Sequence, residues 1–530
     1  MLSSGEALAK LRHGTCLSLI PTLVRTRCSQ TPNWAVHDVH VAAVQLGQTA
    51  QTMSQNGATK RLTGFTSVSS ITTRTSKTEP IFSPLDADNL ERSGLLGPVD
   101  ITGKRKCHKR RLNRLSDEEH KEIPLDVGIG SPGEADAFAT IPDAIISRES
   151  LNYLGLSTHM ADVIWNTWIN WPPYGFGREV DTNTGLYVTF IDYIILAHVQ
   201  KAKDVHEDDD LKWRQCINEC GMSASVQDAI MDVNFKQIRM TQSCVDWVTD
   251  TVQMRYAGLK EIQRTSCERE MQLERERSGQ RGTSSNMGSD LSESSQRCGS
   301  SSQGGGSIRC DSWDPDTFKG AQDDPETLVL FKVIDLGRTN KFVNADGTIE
   351  MESFLFLASQ SPSDFSGTRR LNYFTPDLDV AEFYAAYAKR RAGREAVVMI
   401  TVHIPKKVIL DMKEPDVFRL HYPTPEWKQL VWHSKSVTVL RKPLSRYQDE
   451  SILIIGTIAT GANRMYDDMK SWEEIDEHCL LRVGQGGKNV SEQYCFTNPE
   501  EGIDFLEEHG KFTVFYYSEG KVASLIRRCN

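Results

Sequence analysis

The sequence predicts a multidomain chain: a largely disordered N-terminus, an all-α middle region and a C-terminal α+β domain. Three observations predict it. Residues 1–135 are rich in Ser, Thr and Gln and hold neither helical nor strand periodicity; from about Ile141 to Arg277 apolar residues recur at helical spacing; from Glu326 short β-branched runs bounded by Gly, Pro, Asp or Asn take over. Domain limits follow as 1–135, 141–277 and 326–530, with 278–325 as a linker.

Composition sets the outer bounds. At 530 residues there is room for two to four domains at roughly 150 residues each. Hydrophobic residues make up 39%, mean hydropathy is −0.42, and no run approaches the ~20 apolar residues of a membrane helix, so no membrane partner is expected. The net charge of −10 argues against a nucleic-acid coat, leaving local basic patches as the exception. Twelve cysteines lie scattered without a C-x-x-C pair, as expected of reduced thiols in an intracellular protein of cytoplasm or nucleus. Cys216 and Cys220 read as two thiols one helical turn apart, and no metal site is expected.

The elements follow in order. In the first 37 residues Lys10, Arg12, Arg25 and Arg27 face the single acid Glu6, a balance compatible with a mitochondrial transit peptide; without a clear amphipathic helix, a plain tail is preferred. Lys104 to Arg114, KRKCHKRRLNR, holds seven Lys or Arg in eleven residues and reads as a flexible nuclear-import signal, a phosphate-binding patch or a solvated tail. Met160, Val163, Ile164, Trp168 and Trp171 mark one helix, stopped by Pro172-Pro173. Further helices are expected over Thr184–Lys203 and Leu211–Glu219 and along Ser225–Glu276, solvated beyond Tyr256. The Trp and Met positions read as packing residues. Between Ser278 and Ser307 eighteen of thirty residues are Gly or Ser, so the helical and C-terminal domains are expected to move independently.

Strands are expected at 328–336, 354–358, 371–374, 396–405, 407–412, 436–441 and 451–458, in a mainly antiparallel domain. His403 alternates with apolar neighbours and reads as a strand residue. After the 371–374 strand Thr375 can cap, Pro376 has the φ of a first helical residue, and Asp377 and Asp379 complement the helix dipole. The helix to Arg391 turns Val380, Phe383, Tyr384, Tyr387 and Ala388 inward. A second helix is expected near Glu500–Glu507.

Here a resemblance enters. DFSGTRRLNYFTP from Asp364, SILIIGTIATGANR from Ser451 and QYCFTNPEEGIDFL from Gln493 resemble, in order, the D-F-G-x-G-F-Y-x-T, V-I-G-P-I-A and Q-x-x-F-x-T motifs of a family with the ADP-ribosyltransferase fold, known mainly as domains of unknown function. It covers roughly Glu326 to Leu506. The resemblance implies a cleft between two small sheets in which NAD, as substrate, gives up ADP-ribose to a protein or other macromolecular acceptor. Breaking the glycosidic bond needs a group holding the ribose, an aromatic surface and a carboxylate or amide on the ribose hydroxyls. Carried over, Tyr373 is the central residue, with Thr375 beside the cofactor; Gln493 or Glu450 takes the third position. Lys332 stands where the family has His, with Arg338 as its substitute. Lys332 offers one mobile point charge in place of a planar imidazole, so the alternative expectation is an inactive binding domain in an interaction protein. No Gly-rich phosphate loop or nucleophile elbow supports another enzyme class.

Overall fold

Apart from one two-stranded ribbon, the strands of the C-terminal region form two sheets, whose side chains alternate between the cores on their two faces. The computed structural model describes residues 79–170, 189–282, 324–339, 342, 349–359, 361–483 and 489–529. The expectations for residues 1–37, Trp171 to Pro173 and most of the linker lie outside these residues.

In chain order the strands are β1 (Lys104–His108), β2 (Phe138–Pro142), β3 (Thr327–Asp335), β4 (Asn372–Phe374), β5 (Val397–Pro405), β6 (Val417–Leu420), β7 (Leu453–Thr457), β8 (Arg482–Val483), β9 (Asn489–Val490), β10 (Glu492–Phe496) and β11 (Lys511–Tyr516). The helices used below are α1 (Pro84–Arg92), α2 (Thr158–Ile169), α3 (Phe190–Ala197), α4 (Asp210–Glu219), α5 (Ala224–Ile230), α6 (Cys244–Gly282), α7 (Leu378–Ala392), α8 (Pro425–Lys435), α9 (Pro499–His509) and α10 (Glu519–Cys529). One sheet runs β11-β5-β3, all antiparallel; the other runs β4-β10-β7-β6, antiparallel except for the β6–β7 pair.

Each sheet is buried on both faces. Val398, Ile400 and Val402 of β5 meet Phe374, Tyr494 and Phe496 in a core between the sheets. Val397 and Met399, on the other face of β5, join α7 and the helical region. On the far side of the four-stranded sheet, Ile454 and Cys495 pack with Trp427, Leu430 and Val431 of α8. The order of layers is helical region, three-stranded sheet, shared core, four-stranded sheet, α8.

Several expectations are corrected. Residues 79–135 fall in the stretch expected to be largely disordered, yet they fold: α1 starts at Pro84, β1 pairs with β2, and Ile81, Phe82, Leu90 and Leu96 are buried. The basic run is β1 and a 3-10 turn, and five of its seven charges are paired within the protein. Arg105 pairs with Glu91 and Asp143, Lys106 with Glu134, Arg110 and Arg111 with Asp117, and Arg114 with Glu261.

The middle region is helical as expected, but the long Ser225–Glu276 pattern breaks into α5, two short turns and α6. α6 becomes solvated only near Met271, because Asp86 of α1 accepts from Ser266 Oγ (2.6 Å) and from Arg269 (2.8 Å).

Independent motion of the helical and C-terminal regions is also overturned. The described residues from 79 to 529 fall in one compact unit. The Tyr387 hydroxyl donates to Ile230 O at 3.1 Å, and the Arg391 guanidinium lies 4.5 Å from the Trp247 ring and 4.6 Å from that of Tyr387. Asp250 of α6 accepts from both Arg338 and Arg391 at 2.7 Å. Gly337 permits the approach: a Cβ there would lie 2.5 Å from the Ala257 carbonyl carbon.

Three expected strands are absent. The 354–358 run is a 3-10 helix, Met351–Leu357, which stacks the buried Phe354 and Leu357 three residues apart. The 407–412 run is a helix, Lys406–Asp411, begun after Pro405 and burying Ile409 while Leu410 stays exposed. The 436–441 run closes α8: Ser436 N donates to Trp432 O and Thr438 N to His433 O, both at 3.0 Å.

Candidate functional site

The sheets touch edge to edge at one place, where Phe331 of β3 and Thr375 exchange backbone hydrogen bonds of 2.8 and 2.9 Å. Beyond that bridge they splay. The Tyr373 carbonyl, two residues back on the same edge of β4, receives no backbone donor from β3 and takes the Lys332 ammonium instead, at 3.2 Å. Lys332 is 8% exposed, and its Nζ lies 5.6 Å from the centre of the Phe374 ring. Burial lowers its pKa to about 8.

Tyr373 turns its side chain to the other face. Its hydroxyl accepts from Ser363 Oγ (2.9 Å) and Phe365 N (3.1 Å), and burial raises its pKa well above the ordinary value. On this face the three motif stretches meet at Asp364. Its Oδ2 accepts from Ala459 N and from Gln493 Nε2, each at 2.7 Å, and its Oδ1 lies 3.3 Å from Lys435 Nζ. Gln493 Nε2 also donates to Thr457 O at 3.2 Å. Asp364, Gln493 and Lys435 are all buried. Cys495, opposite Tyr373 on β10, is buried with its thiol pKa raised by desolvation.

The expected site residues therefore divide. Tyr373 and Gln493 share a face and bond separately to the 363–365 turn, Tyr373 to Ser363 and Phe365 and Gln493 to Asp364. Lys332 projects to the opposite face, its charge on a backbone carbonyl. Thr375 donates to Glu492 O at 2.9 Å and accepts from Asp377 N at 3.1 Å, stitching β4 to β10. The cap of α7 is Asp377, whose carboxylate accepts from Asp379 N and Val380 N, so the helix begins two residues later than expected. Arg338 is tied to Asp335 and Asp250 against α6 and takes no part in the Asp364 network. Glu450 lies exposed at the end of the Arg446–Asp449 helix, while its neighbour Gln448 is buried and donates to Phe365 O.

Asp364 and Lys435 are the members that sequence reasoning missed. Asp364 opens a motif but reads as an ordinary turn residue; Lys435 sits at a helix C-terminus, where a lysine is usual. Among the described residues no group of three or more His, Cys, Asp or Glu is arranged to hold a metal ion, and no helix is long and apolar enough to cross a membrane. Cys216 and Cys220 are buried on and just after α4. No family model, curated protein or solved structure matches this chain.

Proposed function

We propose that the C-terminal region is an ADP-ribosyltransferase-like module that serves binding within an interaction protein and does not turn over NAD. What carries the reading is Lys332. In the position where the resembled family holds a ribose, its ammonium caps the Tyr373 carbonyl across the split between the sheets, on the face opposite the Tyr373 ring. Buried on that face, it is turned away from a ribose held against the Tyr373 ring, and Arg338, the substitute the sequence offered, is tied to Asp250 of α6. Gln493 commits its amide nitrogen to Asp364 and the Thr457 carbonyl.

The second reading, NAD-dependent transfer of ADP-ribose to a macromolecular acceptor, is favoured by one observation. Asp364, Ala459 and Gln493 come from three motifs of the resembled family and join in a single hydrogen-bonded network beside Tyr373. The test is a transfer assay with labelled NAD on the full chain, beside Tyr373→Phe and Lys332→His. The proposal expects no label on the chain or on added protein from any of the three. Label transferred by the wild type and lost in Tyr373→Phe overturns it in favour of the second reading.

A further inference from the structure

At the end of the β4–β10 pair remote from Gln493, the surface forms an open cleft of about 490 Å³, lined by Arg369, Arg370, Gln448, Asp449, Thr497 and Asn498. None of these residues belongs to the Asp364 network. Two of the walls are built. Thr497 and Gln448 are 1% and 5% exposed, and their side chains are fixed on the protein, Thr497 on Ser451 and Gln448 on Phe365 O. Arg369 is held in place: Nη1 donates to Gln448 O at 3.3 Å, and Nη2 meets the Asp449 carboxylate, which neutralises the one acid of the lining. Arg370, next along the chain, has an exposed side chain with no ion pair or hydrogen bond in the described structure. Asn498 uses its side-chain oxygen to cap α9, accepting from Glu500 N at 3.2 Å, which leaves its amide N–H groups for the cavity.

The lining thus offers one unpartnered guanidinium fork, a second guanidinium fixed beside it and a neutral amide donor, with no unpaired acid. Such a set suits an anion with several acceptor oxygens, because the Arg370 fork takes two oxygens at once while Arg369, its charge already offset by Asp449, and Asn498 supply further N–H donors. A cavity of this volume is larger than the ion alone needs and leaves room for the group that bears it. The geometry points to a binding site for a phosphate monoester, recognised by Arg370 and Arg369 with Asn498, independent of whether the module turns over NAD.

The probe is phenyl phosphate, titrated into the full chain by calorimetry, with benzoate as the monoanionic counterpart and a phosphoserine peptide as a second arm. Arg370→Ala removes an exposed side chain and leaves the fold alone; Arg464→Ala, another exposed arginine away from the cavity, is the control. The site predicts saturable phenyl phosphate binding, weakened tenfold or more in Arg370→Ala, unchanged in Arg464→Ala and at least tenfold tighter than benzoate. A peptide binding more tightly than phenyl phosphate assigns the ester to a protein partner, and equal affinity assigns it to a small phosphorylated molecule. Absence of saturable binding, equal loss in both arginine variants, or benzoate binding as well as the phosphate ester overturns the site.

Discussion

Lys332 and Glu395 are two buried charges whose surroundings set measurable consequences. Lys332 has its pKa lowered to about 8 by burial, whereas in the unfolded chain it stays protonated to about 10.5. Between those values the unfolded state holds the extra proton, so stability rises with pH across this window. Lys332→Met should abolish that component, and below pH 8 it should be neutral or stabilising by up to roughly 3 kcal/mol. Denaturant melts of both proteins at pH 7.5 and 10 check it; a variant several kcal/mol less stable would show that the ammonium contributes more than it costs. Glu395 behaves oppositely. It is 6% exposed, and burial, only partly offset by the Arg255 charge and a hydrogen bond from Tyr153, raises its pKa to about 7. The folded state keeps its proton up to that pH and the unfolded chain releases it near 4.5, so stability falls as pH rises through this range. Glu395→Gln should flatten the slope and stabilise the protein at pH 8 by on the order of 3 kcal/mol. At this scale the sequence was least informative. Motif positions single out Tyr373 and Gln493, whose side chains lie on one face, but Asp364 reads as a turn residue, because what buries it are partners about 70 to 130 residues away.

At the scale of elements, local signals worked where they agreed with the tertiary environment. β3, β5 and β7 were legible because long β-branched runs buried on both faces leave little choice, and α7 because its apolar stripe faces the helical region. The 407–412 and 436–441 runs misled for the opposite reason: Leu410 and Val439 are 74% and 70% exposed, so β propensity there had no core to serve. The basic run Lys104–Arg114 misled through its composition, since its acidic partners Glu91, Asp117, Glu134, Asp143 and Glu261 are dispersed along the chain. Replacing Lys104, Arg105, Lys106, Lys109, Arg110 and Arg111 together should therefore lower the melting temperature, with Arg105→Ala alone giving much of the loss because it strands Glu91 and Gly97 O. An unchanged melting curve with altered nuclear import would restore the targeting reading. Asp250→Ala should cost roughly 3 kcal/mol, since Arg391 is 3% exposed and would lose its carboxylate.

For the molecule as a whole, the Gly/Ser-rich composition of 278–307 described the covalent connection and said nothing of what packs around it. α6 runs into the start of that stretch, ending at Gly282, and β3 follows it, yet both belong to one hydrophobic core with α7. A 320–530 fragment would expose Val380, Ala385, Tyr387 and Met399, and should lack the near-ultraviolet dichroism and cooperative melting of the full chain. Two separate transitions in the full chain would contradict this single unit. Function must therefore be measured on the intact protein, where the claim that Lys332 closes the split between the sheets instead of serving a ribose has a direct test. Calorimetric titration of NAD into the full chain should give no saturable heat up to millimolar concentration; saturable binding that disappears in Tyr373→Phe would contradict the account and return the site to transfer chemistry.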